Sequence, residues 1–182
     1  MLSVLRKRKL TKLFHIWDSN KDGVIERADY ALVALRVAEL SGAISGSYGY
    51  RTIQEGYLQN WEVLCRILDK DPNLGELNLE EYLIAQEITL ANKTEWELYV
   101  REHMRDLAAR ADKDHDGQVT LAEYTGFACA YGIAIDVALK AAQSLDEDQD
   151  GFVLIEDVLR YLEEFYYSED PESPGNNFTG VL

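Results

Sequence analysis

The apolar positions of the chain recur at helical spacing on both sides of four acidic stretches. Before the first stretch, Leu10, Leu13, Phe14 and Trp17 form one apolar stripe, which is typical of an amphipathic helix packed on a core. The four acidic stretches begin at Asp18, near Asp69, at Asp112 and at Asp146. The pattern predicts an all-α fold of four helix–loop–helix units in two closely packed lobes, with short β pairing between the loops.

The connections between the units suggest where the lobes divide. The glycine- and serine-rich stretch 41–51 is expected to be a flexible connection within the first lobe. The link between the second and third units is short, and Thr94 with Glu97 has the spacing of a capping box that starts the next helix. We therefore expect an N-terminal lobe at 1–92 and a C-terminal lobe at 93–167.

The residues at 168–182 form a separate tail. They hold two of the chain's three prolines, so we expect an extended segment rather than a helix. The apolar residues Phe178, Val181 and Leu182 favour a tail that folds back over the second lobe.

Charge and cysteine usage narrow the classes of partner. The chain has 33 acidic and 18 basic residues, a formal charge of −15, which repels nucleic acids and anionic membranes, so we expect neither as a partner. The basic run Arg6–Lys9 is interpreted as a solvated helix face, with membrane contact as the alternative. No apolar run is long enough for a membrane span, and the N-terminus lacks an apolar signal core. Cys65 and Cys129 stand singly in apolar segments, so we expect free thiols in a reducing, cytoplasmic compartment.

The third acidic stretch matches a loop that binds calcium. Calcium takes six to eight oxygen ligands, and a twelve-residue loop supplies them from positions 1, 3, 5, 7, 9 and 12 around a glycine at position 6. Here the expected ligands are Asp112, Asp114, Asp116, the carbonyl of Gln118 and Glu123, with Thr120 at position 9. Aspartates at alternate positions repel one another unless a cation lies between them, so the pattern favours a metal site over an acidic solvent loop.

The first acidic stretch fits the same frame with a shorter closing residue. Its expected ligands are Asp18, Asn20, Asp22, the carbonyl of Val24, Glu26 and Asp29. Aspartate at position 12 is one methylene shorter than glutamate and favours binding through one oxygen. One-oxygen closure suits the six-coordinate shell of magnesium, so we expect a reduced preference for calcium over magnesium.

The fourth acidic stretch is also expected to bind a metal ion. Its expected ligands are Asp146, Asp148, Asp150, the carbonyl of Phe152 and Asp157. Position 9 is Leu154, which offers no side-chain oxygen, so a water molecule must complete the shell.

The second acidic stretch departs from the frame and is expected to be empty. Counted from Asp69, the turn position holds Leu74, and Gly75 comes one place late. If Leu77 is the strand residue, Glu81 falls one residue beyond the closing position. We interpret this loop as carrying an extra residue and as the structural mate of the first.

These loops resemble those of EF-hand proteins, and the resemblance covers about Leu10 to Tyr167. The arrangement is similar to calerythrin and the sarcoplasmic calcium-binding proteins: active first, third and fourth loops, a degenerate second, an aspartate closing the first, and Trp17 before Asp18. The resemblance implies a compact two-lobed globule acting as a cytosolic calcium and magnesium buffer or carrier. Leu154 and Asp157 depart from the family pattern, so the resemblance supports metal binding least strongly for the fourth loop.

The same fold also includes photoproteins and coelenterazine-binding proteins, which enclose an apolar ligand among aromatic and histidine side chains. This chain has three tryptophans, eleven tyrosines and three histidines. Aromatic residues at helical spacing are usually core, so ligand carriage is the lesser alternative.

Buffering is favoured over sensing because sensors of this class expose a methionine-rich groove when calcium binds. This chain has two methionines, one of them Met1, and no long linker between its lobes. A sensor remains the main alternative.

The chain lacks a phosphate-binding glycine loop, a Cys/His metal cluster and a nucleophile motif, so we expect no enzyme. We expect a monomer that binds about three calcium ions.

Overall fold

The computed structural model describes residues 1–180 as helices that alternate with short loops. The helices are α1 (Val4–Trp17), α2 (Arg27–Leu40), α3 (Tyr48–Ile67), α4 (Leu79–Ala91), α5 (Lys93–Trp96), α6 (Glu102–Ala111), α7 (Leu121–Ala130), α8 (Ile135–Leu145) and α9 (Ile155–Tyr167). The strands are β1 (Ile25–Glu26), β2 (Glu76–Leu77), β3 (Gln118–Thr120) and β4 (Phe152–Leu154). None of these helices has the length and apolar character needed to cross a bilayer. The predicted fold class is confirmed.

Short antiparallel strands join the loops in pairs. Strand β1 pairs with β2, with Ile25 opposite Leu77, and β3 pairs with β4, with Val119 opposite Val153. All four of these side chains are buried, because alternate residues of a strand point to the same face and here that face covers the core. We number the four acidic loops 1 to 4 in chain order. Strand pairing therefore links the positions of loops 1 and 2, and those of loops 3 and 4.

The two halves of the chain share a core. The cluster around Trp61 and Tyr57 also contains Leu107 from α6 and Ala130 from α7. The hydroxyls of Tyr57 and Tyr131 lie 2.5 Å apart, which joins α3 to the end of α7 by a hydrogen bond. The apolar faces of the two lobes thus pack against each other.

Two helices begin earlier than the sequence predicts. Helix α3 begins at Tyr48, where the Ser47 hydroxyl accepts a hydrogen bond from the backbone amide three residues on at 3.2 Å, so the connection is shorter than 41–51. Helix α5 begins after Asn92, whose side chain accepts the equivalent bond at 3.4 Å. The predicted capping box at Thr94 and Glu97 is wrong, since asparagine caps helices as well as threonine does and stands two residues earlier. A π-helical turn at Glu97–Arg101 then leads into α6.

The tail folds back on α9, as predicted, but it contains a 3₁₀ turn at Pro174–Asn177 that the sequence analysis excluded. The Glu164 carboxylate accepts hydrogen bonds from the Ser173 hydroxyl at 2.8 Å and from the Gly175 amide at 3.1 Å, which holds this turn against the helix. The Tyr124 hydroxyl donates to the Phe178 carbonyl at 2.6 Å. The predicted contacts of Val181 and Leu182 lie outside the described residues.

The basic run does not form one solvated face. Lys7 and Arg8 are exposed, but Lys9 is fully buried. Its ammonium donates to the Ser168 carbonyl at 3.0 Å, to the Asn176 amide oxygen at 3.2 Å and to the Glu164 carbonyl at 3.3 Å. Burial, followed by the charge of a neighbouring arginine, lowers the pKa of Lys9 to about 8. The interpretation as a solvated face is therefore wrong for Lys9, because the tail covers it.

Both cysteines in the described chain are free thiols. Cys65 is buried in the core of the first lobe, and burial raises the pKa of its thiol to about 11. Cys129 is half-buried. A buried thiol with a raised pKa is a poor nucleophile, so Cys65 is a packing residue.

Candidate metal centres

Three loops begin with the same buried aspartate. Asp18, Asp112 and Asp146 stand at position 1, directly after their entering helices, and are 2%, 3% and 7% exposed. One oxygen of each accepts a hydrogen bond from the amide at position 5, at 3.2, 3.3 and 3.2 Å. The other accepts from the amide of the glycine at position 6, at 3.0 Å in every case. These bonds fix the first predicted ligand of each loop before any ion arrives.

The backbone of the same three loops turns through the left-handed region twice. Position 4 has a φ of 64° at Lys21, 60° at His115 and 61° at Gln149. Position 6 has φ values from 86° to 93°, at Gly23, Gly117 and Gly151. A Cβ built on these glycines would meet nothing within 4 Å, so glycine is required for its backbone conformation rather than for space. The turn makes the residues at positions 1, 3 and 5 converge.

The convergence brings carboxylates close together in loops 3 and 4. Carboxylate oxygens of Asp112, Asp114 and Asp116 lie within 4.8 Å of one another, as do those of the second group, which consists of Asp146, Asp148 and Asp150. Burial opposes ionisation of Asp112, but hydrogen bonds from neighbouring amides outweigh it and lower its pKa, so this carboxylate is charged at neutral pH. Neighbouring negative charges at this separation repel strongly unless a cation lies between them.

In loops 1 and 3 the closing carboxylate is held across the loop. One oxygen of Asp29 accepts from the Ser19 amide at 2.9 Å and the other from the Glu26 amide at 2.9 Å. Glu123 accepts from the Lys113 amide at 3.2 Å and from the Thr120 amide at 2.9 Å. Position 12 is therefore joined to position 2 and to the first turn of the exiting helix.

The two closing residues differ in electrostatics. Burial, the largest influence, raises the pKa of Asp29 despite hydrogen bonds from the Glu26 and Ser19 amides. Burial also acts on Glu123, but hydrogen bonds from Thr120 and Lys113 outweigh it and lower its pKa. The free-energy cost of keeping Asp29 charged is therefore higher than that of keeping Glu123 charged. A nearby cation stabilises the charged form of Asp29 by offsetting that cost.

Loop 4 lacks this closure within the described structure. An oxygen of Asp157, the predicted position 12, lies 3.1 Å and 3.2 Å from two nitrogens of Arg160, one turn further along α9. The side chain of Asp157 is 39% exposed, whereas Asp29 is 2% exposed. The structure therefore brings the first three predicted ligands of loop 4 together and leaves the closing one, Asp157, paired with an arginine.

Counted back from its strand, the exit half of loop 2 keeps the standard offsets, but its entering half does not. Helix α3 already ends at Ile67, and neither Asn73 nor Gly75 has the positive φ that positions 4 and 6 have in the other three loops. Because Leu77 pairs with Ile25, it stands at position 8, and position 1 is then Lys70 rather than Asp69. Glu81 falls at position 12 and is the third residue of α4, as Asp29 and Glu123 are in their helices. Glu81 is thus not displaced relative to Leu77. The extra length lies on the entering side, where nine residues separate α3 from Leu77 and only seven separate α1 from Ile25. Positions 1, 3 and 5 hold Lys70, Pro72 and Leu74, none of which offers a side-chain oxygen.

Lys70 was not among the site residues predicted from the sequence. Its ammonium donates to the Glu76 carbonyl at 2.6 Å and lies 2.7 Å from a carboxylate oxygen of Glu81. Counting back from the strand residue Leu77 would have placed this lysine at position 1 of the loop.

An apolar cavity of about 140 Å³ lies between the two lobes. It is lined by aromatic side chains that include Trp17, Tyr30 and Phe127, and by His103 from α6. The Nε2 atom of His103 is buried without a hydrogen-bond partner in the described chain. Burial, the largest influence, lowers the pKa of His103 to about 4, so its imidazole is neutral at pH 7.

The donor set of loops 1, 3 and 4 consists of carboxylate, amide and carbonyl oxygens. Such hard donors suit calcium and magnesium, whereas zinc and copper prefer nitrogen and sulfur. The buried aspartates, the left-handed turns and the crowded carboxylates all fit a divalent ion of this class.

No family model matches the chain. Calerythrin from Saccharopolyspora erythraea is 22% identical over 169 residues, which cover 92% of this chain and 95% of that protein. A luciferin-binding protein from Renilla reniformis is 28% identical over 186 residues, 98% of this chain and 94% of that protein. The structure of a sarcoplasmic calcium-binding protein from amphioxus is similar over the whole length of both chains, with a TM-score of 0.75 and 20% identity.

None of these three proteins is described as an enzyme, which agrees with the prediction that the chain is not one. The paired helices, the strand-linked loops and the similarity to these proteins all lead to the same assignment. The chain has the EF-hand fold of calerythrin and the sarcoplasmic calcium-binding proteins.

Proposed function

We propose that the chain is a cytoplasmic calcium- and magnesium-binding protein that buffers or carries these ions. The first, third and fourth loops bind them through the ligands assigned above. The carboxylate clusters of loops 3 and 4 support the proposal, since their mutual repulsion is relieved by a cation. The amphioxus protein, which has the same fold, is a calcium-binding protein.

The observation that favours a buffer over a sensor is the packing of the lobes on each other. A sensor must expose an apolar groove when it binds calcium. Here Trp17 of the first lobe contacts Tyr131 of the second, with ring centres 5.5 Å apart, and Tyr57 and Tyr131 share a hydrogen bond. Opening such a groove would expose this aromatic contact to water, at a free-energy cost proportional to its area.

Dye binding distinguishes these roles. We expect an apolar fluorescent dye to bind the chelator-treated protein and the calcium-loaded protein equally weakly. An amphipathic helical peptide, of the kind that calcium sensors bind in an apolar groove, serves as a second probe. Strong calcium-dependent binding of either probe would show that the chain acts as a sensor and not as a buffer.

A second candidate function is carriage of an apolar ligand in the cavity between the lobes. The neutral imidazole of His103, with its unpartnered Nε2 atom, is the observation that favours it. A buried polar atom without a partner is costly, and a ligand that hydrogen-bonds to it recovers that cost. The similarity to a luciferin-binding protein supports a luciferin as the ligand. A cavity of about 140 Å³ holds about one aromatic ring, so the lobes must move apart further to admit the whole molecule.

Titration with Renilla luciferin, followed by tryptophan fluorescence, tests this candidate. We expect micromolar binding that weakens in His103→Phe, which keeps the ring and removes its nitrogens. The matched control is His15→Phe, on the exposed side of α1. Absence of binding, or equal binding in both variants, would remove this candidate.

A further inference from the structure

Loop 2 carries its own cation. The Lys70 ammonium lies 2.6 Å from the Glu76 carbonyl oxygen and 2.7 Å from the Glu81 carboxylate. The side chains of Lys70 and Glu81 are only 26% and 34% exposed, so the contact is partly screened from water. The ion pair lowers the pKa of Glu81, chiefly through the hydrogen bond from Lys70, and keeps this carboxylate charged.

The two partners of this ammonium are positions that an EF-hand loop uses for its ion. Glu76 stands at position 7, whose carbonyl is a ligand, and Glu81 at position 12, whose carboxylate closes the shell. In each closing residue of loops 1, 2 and 3, one oxygen caps the exiting helix. The other oxygen accepts from a position-2 amide in loops 1 and 3 and contacts the Lys70 ammonium in loop 2.

We propose that the Lys70 ammonium replaces the divalent ion of loop 2. It satisfies the carbonyl at position 7 and the carboxylate at position 12 at every calcium concentration. The exit half of loop 2 is therefore closed permanently, and no ion enters it.

The closure of loop 2 by Lys70 affects loop 1, whose calcium binding is part of the proposed function. Glu76 is the first residue of strand β2, and the second, Leu77, lies opposite Ile25 of loop 1. Because Lys70 fixes the start of β2, the strand against which loop 1 closes is already in place. Loop 1 then binds its ion without the cost of ordering its partner, whereas loops 3 and 4 must order each other.

Lys70→Met tests the inference, since methionine has an unbranched side chain of similar length and carries no charge. The background carries Asp112→Asn and Asp146→Asn, which isolates loop 1. We expect the calcium dissociation constant of loop 1, measured by calorimetry, to rise about fivefold or more. Lys93→Met is the matched control, because Lys93 also forms a lysine–glutamate ion pair, 2.6 Å from Glu163, outside loop 2. An equal dissociation constant in both variants would overturn the proposal.

A second measurement does not depend on calcium. Amide hydrogen exchange at Ile25 and Leu77 in chelator should be faster in Lys70→Met than in the wild type or Lys93→Met. Unchanged exchange would overturn the proposal even if loop 1 binds calcium. If loop 1 of the wild type binds no calcium, the proposed function fails, and hydrogen exchange still decides the role of Lys70.

Lys70→Asp reverses the charge at position 1 and guards against a purely steric explanation. We expect exchange at Leu77 to be fast in chelator and to be slowed by millimolar calcium, which now has a carboxylate pair to bind. In Lys70→Met, by contrast, calcium should slow exchange at Leu77 by no more than it does in the wild type. The same calcium response in both variants would contradict the inference.

Discussion

The Asp157 carboxylate lies 3.1 Å from the Arg160 guanidinium, so the predicted closing ligand of loop 4 is paired within its own helix. The closing residue of loop 3, Glu123, instead accepts a hydrogen bond from the Lys113 amide across its loop. Two loops with the same aspartates at positions 1, 3 and 5 therefore differ in how readily position 12 can reach an ion. Loop 4 must break an ion pair to close, and loop 3 need not.

Arg160→Gln is expected to strengthen ion binding by loop 4. The pair is half exposed, so its loss releases Asp157 at a gain of about 1 kcal/mol or less, or up to about fivefold in affinity. Calorimetry in a background of Asp18→Asn and Asp112→Asn would report loop 4 alone. Lys140→Gln, an exposed cation on α8, controls for net charge, and an unchanged or weaker loop 4 in Arg160→Gln would refute the prediction.

Glu123→Gln is expected to weaken loop 3 by about tenfold or more, because an amide supplies one neutral oxygen where the carboxylate supplied charge and two oxygens. The calcium-dependent rise in melting temperature should shrink accordingly. Glu80→Gln, at an exposed position of α4, removes the same charge outside the proposed metal sites. Equal calcium stabilisation in the two variants would show that Glu123 is not a ligand.

Asp29→Glu is expected to raise the preference of loop 1 for calcium over magnesium. The longer side chain can offer both oxygens to the larger ion, whereas magnesium keeps its six-coordinate shell. Calcium titrations with and without millimolar magnesium give the selectivity directly. Asp157→Glu serves as the comparison, since it should alter loop 4 alone, and a selectivity at loop 1 that does not change would contradict the role given to Asp29.

His103 is expected to make the unfolding free energy depend on pH. Its folded-state pKa of about 4 is below the value of 6.5 for the free side chain, so the unfolded state binds the extra proton. This contribution is intact above pH 6.5 and is lost as the pH falls towards 4, up to about 3 kcal/mol. Denaturant unfolding in chelator at pH 7, 6 and 5 should show a flatter profile for His103→Phe. Parallel profiles would show that His103 is not buried as a neutral group.

The sequence predicts the parts of the site that follow from fixed offsets. Positions 1, 3, 5 and 6 of a loop are set by local backbone geometry, so Asp112 and Gly117 are recognisable without the fold. The frame of loop 2 depended on its strand pairing, and the acid at Asp69 drew the frame one residue too early. Counting back from Leu77 instead of forward from Asp69 corrects the frame, and the register of Leu77 against Ile25 supports that count.

Other features depend on which side chains meet in space. Whether Asp157 turns towards its loop or towards Arg160 is a choice of rotamer that no residue pattern fixes. The burial of Lys9 requires the tail to return from 155 or more residues away in sequence. The cavity beside His103 exists because the two lobes do not fill the space between them, and only the packed structure shows this.

Calcium uptake by the chelator-treated wild-type chain, followed by calorimetry at micromolar concentration, tests the central claim most directly. The account predicts about three ions per chain, with dissociation constants on the order of 10⁻⁸ to 10⁻⁶ M, and none taken up by loop 2. A chain that binds no calcium at these concentrations would contradict it.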